Sequence, residues 1–139
     1  MTDLGQARAD LPGHTLALCR AGEVIVSDKR GVAPMVDFIR EGHDLSGYSA
    51  ADRVVGKAAA VLFIKAGIKE IYALTLSESA RAILAAHGVR VEWETLTDQI
   101  VNRAGNGPCP MESAVAGVDD IDAAFGIICA KLDSMRAGK

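Results

Sequence analysis

A strand, a helix and a second strand follow one another without interruption between Glu70 and Trp93. The segment from Glu70 to Leu76 is typical of a strand, a helix is predicted from Ser77 to Gly88, and Val89 to Trp93 alternates as a strand. Two strands joined through one helix form a right-handed crossover and lie parallel in one sheet. The chain is therefore predicted to be an α/β protein.

The segments before this unit predict the rest of the sheet and its covering helices. Two strands, Thr15 to Cys19 and Glu23 to Ser27, are joined through Gly22 as an antiparallel hairpin. A helix is predicted to begin near Pro34. Ser49 is predicted to be the N-cap of a buried helix over 50–65. The expected fold is a three-layer α/β/α sandwich with a mixed sheet.

Length and composition exclude several classes of protein. The 139 residues suit a single domain over 1–139, and 4% aromatic residues imply a core of aliphatic side chains. A net charge of −3 without a basic run is unlike a nucleic-acid-binding protein. The longest apolar stretch, Ala58 to Ile64, is too short to cross a membrane. Because there is no signal-like segment and no close cysteine pair, we expect a cytoplasmic protein.

An uncommon loop from Ile100 to Glu112 brings together groups that can carry chemistry. If a helix begins at Pro110, Cys109 is its N-cap, and the helix N-terminus would lower the pKa of the thiol. The same backbone N–H groups, with the guanidinium of Arg103, suit a phosphate or carboxylate. The alternative is a structural turn in which Glu112 only caps its helix.

Two further places attract attention. Lys57 lies in an otherwise apolar segment, where a buried ammonium must pair or lose its proton, and Asp52 lies five positions earlier. The alternative is that Lys57 extends to the surface. Ser77 and Ser79 follow a strand at the sheet edge where ligands of α/β proteins bind, although helix capping also explains them.

The motifs for common cofactors are missing from the sequence. It contains no Cys-x-x-Cys, no histidine followed two residues later by Glu, and no Walker or dinucleotide-binding loop. Zinc needs three or four ligands, and Cys109 with Glu112 offers two. We therefore expect no metal and no cofactor.

The segments Asp52 to Ala60, Val101 to Arg103 and Gly107 to Glu112 resemble the signature stretches of a bacterial family of unknown function with a cytidine-deaminase-like fold. The resemblance covers about residues 10–118 and leaves a C-terminal helix, about 119–136, outside it. It implies an α/β/α sandwich. In deaminases the buried helix carries a His- or Cys-x-Glu element and the next helix start carries Pro-Cys-x-x-Cys. The stretches assigned to those places read Gly56 to Ala59 and Leu76 to Ala80, so the resemblance carries the fold and not the zinc chemistry.

The motifs and the resemblance predict one shared cavity. Its expected lining comprises Asp52, Lys57, Ser77, Ser79, Asn102, Arg103, Cys109 and Glu112. The leading hypothesis is a metal-free domain that binds a small nucleotide-like or anionic metabolite. The alternatives are an enzyme with Cys109 as nucleophile, helped by Lys57, and a divergent deaminase or hydrolase. A structural role and homo-oligomer formation both remain open, and the sequence does not decide whether the protein is an enzyme.

Overall fold

The computed structural model describes residues 1–102 and 104–138, and within them six helices and five strands follow one another. Along the chain these elements are α1 (Asp3–Asp10), β1 (Leu16–Arg20), β2 (Glu23–Ser27), α2 (Ala33–Arg40), β3 (Ser49–Val55), α3 (Lys57–Ala66), β4 (Glu70–Ser77), α4 (Glu78–Ala86), β5 (Arg90–Thr97), α5 (Pro110–Val115) and α6 (Ile121–Gly138).

The five strands form one mixed sheet in the order β2-β1-β3-β4-β5. Strand β1 pairs antiparallel with both β2 and β3, whereas β3, β4 and β5 run parallel. In this register Asp52 on β3 lies opposite Leu16 on one side and Ala73 on the other. The predicted hairpin and the predicted parallel crossover are both confirmed.

Helices cover both faces of the sheet, which confirms the predicted three-layer sandwich. On one face, Leu4, Ala7 and Leu11 of the α1 region pack over a small apolar cluster from β1, β3 and β4. On the other face, α3 lies at the centre and contacts α2, α4, α5 and α6. Leu62 and Phe63 of α3 are completely buried. Because four helices pack on α3, its position decides where the remaining elements of that layer lie.

The predicted helix over 50–65 is wrong in its first part, because Ser49–Val55 is strand β3. An apolar run without a clear period fits a buried strand as well as a buried helix, and Val54-Val55 is a β-branched pair. Ser49 does not cap a helix; its hydroxyl donates to the Glu70 carboxylate at 2.6 Å. The strand suggested at 99–101 is also absent from the described residues, since only Val101 bridges, to Pro108.

Helix α6 is held against α2 by two arginine–carboxylate pairs. Arg40 donates to both carboxylate oxygens of Asp133 at 2.9 Å, and Arg136 donates to both of Asp37 at 2.9 and 3.2 Å. Arg136 and then Lys29 lower the pKa of Asp37 to about 2. These pairs place the last turns of α6 beside α2.

The hairpin turn generates a stability prediction. Ala21 and Gly22 both have positive φ, +52° and +83°, which favours Asn-Gly in a two-residue turn. Ala21→Asn should therefore raise the free energy of unfolding by about 0.5–1 kcal/mol in urea titrations. Gly22→Ala is the matched control: the space around Gly22 is open, so its expected loss of stability comes from φ alone. A destabilised Ala21→Asn variant would contradict this explanation.

Candidate functional site

Helix α3 begins at Lys57 without a capping side chain of its own, because the preceding residue is Gly56. The first N–H groups of a helix need acceptors from outside it. Glu112 of α5 supplies them: its carboxylate accepts from the Lys57 N–H at 2.7 Å and from the Ala58 N–H at 2.9 Å. The alternative in which Glu112 only caps its own helix is therefore wrong, because the helix that it caps is α3.

Gly56 permits this close approach. A Cβ atom at position 56 would lie 2.5 Å from Cδ of Glu112 and 2.6 Å from each of its carboxylate oxygens. The backbone of Gly56 is extended, with φ −97° and ψ −175°, so the requirement for glycine here concerns space and not conformation. Any larger residue would displace the Glu112 carboxylate from the start of α3.

The buried ammonium of Lys57 also connects α3 to the segment between α5 and α6. Its side chain is 10% exposed, and Nζ donates to Asp119 Oδ1 at 2.7 Å, just before α6. Pairing with Asp52, which was considered from the sequence, does not occur, because Asp52 lies on a strand rather than on the first turn of α3. Lys57 therefore neither extends freely to the surface nor stays unpaired.

The largest cavity near this junction, here the main cavity, has a volume of about 650 Å³. Its walls are mostly apolar and come from the segment before α2, the end of β3, the start of α3, the 100–112 loop and the end of α6. The lining side chains that matter below are Arg30, Val54, Asn102, Cys109, Met111 and Arg136. Cavities of this size and character commonly hold small molecules.

Asn102 mainly organises the loop that forms one wall. Its amide nitrogen donates to Asn106 Oδ1 at 3.0 Å, and its oxygen accepts from the Asn106 N–H at 3.2 Å. The backbone N–H of Cys109 donates to the Ile100 carbonyl at 3.1 Å, which closes the loop on itself. Cys109 is half-buried and lines the main cavity. Arg103, the predicted anion-binding residue, lies outside the described residues.

Asp52 faces a second cavity of about 320 Å³, here the Asp52 cavity. The two cavities adjoin, since Arg30, Val32, Val54 and Ala59 line both. Burial raises the pKa of Asp52 to about 7, although the backbone N–H groups of Arg53 and Val54 act in the opposite direction. Removal of water from around the carboxyl group favours its neutral form over the carboxylate.

Lys57 and Ser79 line a third cavity of about 300 Å³, and Glu112 lines both it and the main cavity. Ser77 lines none of the three. Its buried hydroxyl accepts from the Ala80 N–H at 3.1 Å and lies 3.2 Å from the Ser79 hydroxyl, so it is the N-cap of α4. The capping explanation for Ser77 is therefore correct.

Sequence and structure comparisons identify proteins that are similar to this chain. A family model described as "Domain of unknown function (DUF1893)" matches residues 12–132. The chain belongs to the DUF1893 family. A crystal structure of a DUF1893 family protein from Thermotoga maritima is 22% identical, with a TM-score of 0.84 over 94% of this chain and 91% of that one. No curated protein matches the sequence.

A more distant structure is the diaminohydroxyphosphoribosylaminopyrimidine deaminase/5-amino-6-(5-phosphoribosylamino)uracil reductase of Thermotoga maritima. It is 13% identical, with a TM-score of 0.45, over 80% of this chain and 39% of that one. That similarity is too low to bear on the function of the DUF1893 chain. Membership in a family of unknown function, as expected from the sequence, is confirmed.

In this DUF1893 chain, the predicted single cavity is replaced by three neighbouring ones. Asn102, Cys109 and Glu112 meet in the main cavity, Asp52 faces the adjoining one, and Lys57 with Ser79 faces the third. Gly56 to Ala59, the stretch compared with the His- or Cys-x-Glu element of deaminases, form the N-cap and first turn of the buried helix α3.

Sequence reasoning missed the arginines that line the main cavity and the Asp52 cavity. Arg30 lines both of them, and Arg53 lines the Asp52 cavity. The only available signal was position: Arg30 comes four residues before Pro34, where a helix starts. Arg136, in the last turn of α6, lines the main cavity as well.

No three His, Cys, Asp or Glu side chains within residues 1–102 and 104–138 lie close enough together to hold a metal ion. In the same ranges, no helix combines the length and apolar character needed to cross a bilayer.

The Glu112 cap is testable by a double-mutant cycle. Glu112→Ala removes the acceptor, and Gly56→Ala displaces it, so each should lower the free energy of unfolding by about 1–2 kcal/mol. Once Glu112 is removed, Gly56→Ala should add little, giving a coupling energy of about 1 kcal/mol or more. The control is the exposed neighbour Ser113→Ala, which should change stability by less than about 0.5 kcal/mol. Strictly additive losses would show that the contact does not stabilise the protein.

Asp52 gives a pH-dependent prediction. Because its folded pKa of about 7 exceeds the ordinary 3.8, the folded state keeps a proton that the unfolded state loses, and stability falls as pH rises from about 4 to 7. Asp52→Asn should therefore be more stable than the native chain at pH 8, by at most about 4 kcal/mol. The gap should close towards pH 4. Urea titrations across this range test it, with exposed Asp98→Asn as control; a constant gap would refute the assignment.

Proposed function

We propose that the protein is a small-molecule-binding domain whose ligand, nucleotide-like or otherwise anionic, occupies the main cavity and the adjoining Asp52 cavity. The observation that carries the proposal is the main cavity itself: about 650 Å³, mostly apolar, with a few polar groups at its walls. Such a lining suits an apolar body with polar substituents.

The charges around these cavities favour an anionic group. Arg30, Arg53 and Arg136 line one or both cavities. Of the two carboxyl groups there, Glu112 already accepts two backbone N–H groups, and burial favours the neutral form of Asp52. Because Arg136 is paired with Asp37, Arg30 is the first choice for holding a phosphate or carboxylate, as a planar fork of donors.

The predicted anion site at the helix termini needs revision in this proposal. The N–H groups at the start of α3 are used by Glu112, so an anion there would have to displace a carboxylate. Helix α5 has six residues and too few turns for a strong dipole. The proposed anion partner is therefore an arginine. The proposal includes no metal ion, because the described residues do not gather three suitable ligands.

The test is a thermal-shift screen of nucleoside monophosphates and phosphorylated metabolites. A ligand at about 100 times its Kd should stabilise the native protein by about 2.7 kcal/mol, or several degrees in Tm. Val54→Trp should abolish the shift, since Val54 is 47% exposed and lines both cavities. Arg30→Ala should reduce it for anionic ligands only.

The matched controls lie away from the cavities. Leu74→Trp makes the same kind of change at a residue 41% exposed that faces α1, and Arg81→Ala removes an exposed arginine from α4. Both should keep the full shift. If Val54→Trp responds to the ligand as the native chain does, the ligand binds elsewhere and the proposal is wrong.

Catalysis by Cys109 is the second candidate, because its thiol lines the main cavity and would meet a ligand there. The reaction class would be nucleophilic attack through a thiolate. The rate of iodoacetamide labelling against pH is the measurement. A labelling midpoint well below that of a free thiol, together with protection by the ligand, would favour an enzyme; an ordinary midpoint would exclude it.

A further inference from the structure

Asp52 differs from the other acidic residues near the site in its surroundings. It lies on β3 in the middle of the sheet, between Leu16 and Ala73, and faces the Asp52 cavity. Side chains from β1, α2 and α3 enclose that cavity, including Leu16, Met35 and Leu62. A carboxyl group in this position meets mostly apolar walls.

The charged groups that face the same cavity are few. Within the described residues they are Arg30, from the segment before α2, and Arg53, the next residue on β3; Thr15 adds a hydroxyl. Both arginines are exposed, and in the described part of the chain neither forms an ion pair with Asp52. The polar contacts of Asp52 come instead from the backbone N–H groups of Arg53 and Val54.

Such a carboxyl group does not stabilise the fold. Enclosure without a cationic partner makes the ionised form unfavourable, so an amide of the same shape would be better tolerated. An acid that destabilises the folded chain beside an accessible cavity is typical of a functional group. Around neutral pH its protonated form offers one hydrogen-bond donor and one acceptor side by side, whereas a carboxylate offers acceptors only.

We propose that Asp52 determines the specificity of the site: as a neutral carboxyl group it pairs with a ligand edge that carries one hydrogen-bond donor beside one acceptor, such as an amide, a lactam or an amino-substituted nitrogen ring. Asp52 donates its proton to the ligand acceptor, and its carbonyl oxygen accepts from the ligand N–H. The apolar body of the ligand lies in the main cavity, which adjoins the Asp52 cavity through the residues that line both.

The pH dependence distinguishes this pairing from others. Because the pKa of Asp52 is about 7, its protonated fraction should fall about tenfold for each pH unit above that value. The affinity for the ligand should fall with it. A cationic ligand, or one presenting two donors, would instead favour the carboxylate and bind more tightly as the pH rises. The inference rests on the proposed function, since it names the ligand chemistry of the same cavities.

The experiment measures the Kd of uridine monophosphate and adenosine monophosphate by calorimetry between pH 6 and pH 8.5. It uses the native chain, Asp52→Asn and Asp52→Leu. The ligand phosphate also titrates near pH 6, so the readout is the ratio of native to Asp52→Asn affinity at each pH. Between pH 6 and pH 8.5, the affinity of the native chain should fall roughly 30-fold relative to the affinity of Asp52→Asn.

Asp52→Asn is the conservative rescue, because an amide keeps one donor beside one acceptor at every pH. It should match the native affinity at pH 6 and bind about 30-fold more tightly than the native chain at pH 8.5. Asp52→Leu keeps the volume without polar atoms and should bind at least tenfold more weakly than Asp52→Asn. Uridine monophosphate methylated at the ring N–H should bind no better to Asp52→Asn than to Asp52→Leu.

The outcomes separate the two proposals. If a nucleotide binds, and Val54→Trp abolishes its binding, but the native and Asp52→Asn affinities keep a constant ratio, the role of Asp52 is wrong and the binding site stands. Affinity that rises with pH relative to Asp52→Asn also overturns the neutral pairing. If neither nucleotide binds the native chain, the assignment of this ligand class fails, and the wider thermal-shift screen alone decides the proposed function.

Discussion

The contact between the Glu112 carboxylate and the first N–H groups of α3 is the constraint on which the helical layer depends. Helix α3 lies at the centre of that layer and contacts four other helices. Its N-terminus has no cap from its own segment, so a residue far along the chain completes it. That requirement brings α5 to the junction of β3 and α3, and with it Cys109 and Met111 become part of the wall of the main cavity.

The same contact determines which positively charged groups are left to bind an anion. A free helix N-terminus attracts anions, but here the carboxylate of the chain itself occupies that place. The ammonium of Lys57 is a second group of the type that binds anions, but it donates to Asp119 instead. In the proposed site, the positive charge available to a ligand therefore comes from Arg30, which also lines the main cavity. The helix start thus fixes the site's geometry, and the arginines provide its charge.

Much of the fold could be predicted from local patterns. The Gly22 hairpin, the crossover through α4, the Ser77 cap and the helix beginning at Pro110 each have a signal within a few residues. Strand β3 had none, since Ser49 resembles an N-cap, and the apolar run that follows fits either element. The candidate site was harder to predict from the sequence, because the cavity walls are formed by segments that are far apart in the chain. Cys109 and Asn102, which are close in sequence, both line the main cavity, whereas the position of Arg30 beside them depends on the fold alone.

Three ionisable residues near α3 illustrate why residue type alone does not reveal function. Glu112 and Lys57 are satisfied by partners within the chain, at 2.7–2.9 Å and 2.7 Å, so their burial is compensated and their effect is structural. Asp52 has backbone N–H groups but no cationic partner among the described residues, and its burial shifts its pKa instead. A chain selected for stability alone would replace such an acid, since an amide fits the same space. Its presence beside the cavity is the reason for assigning Asp52 to the proposed ligand site rather than to the stability of the fold.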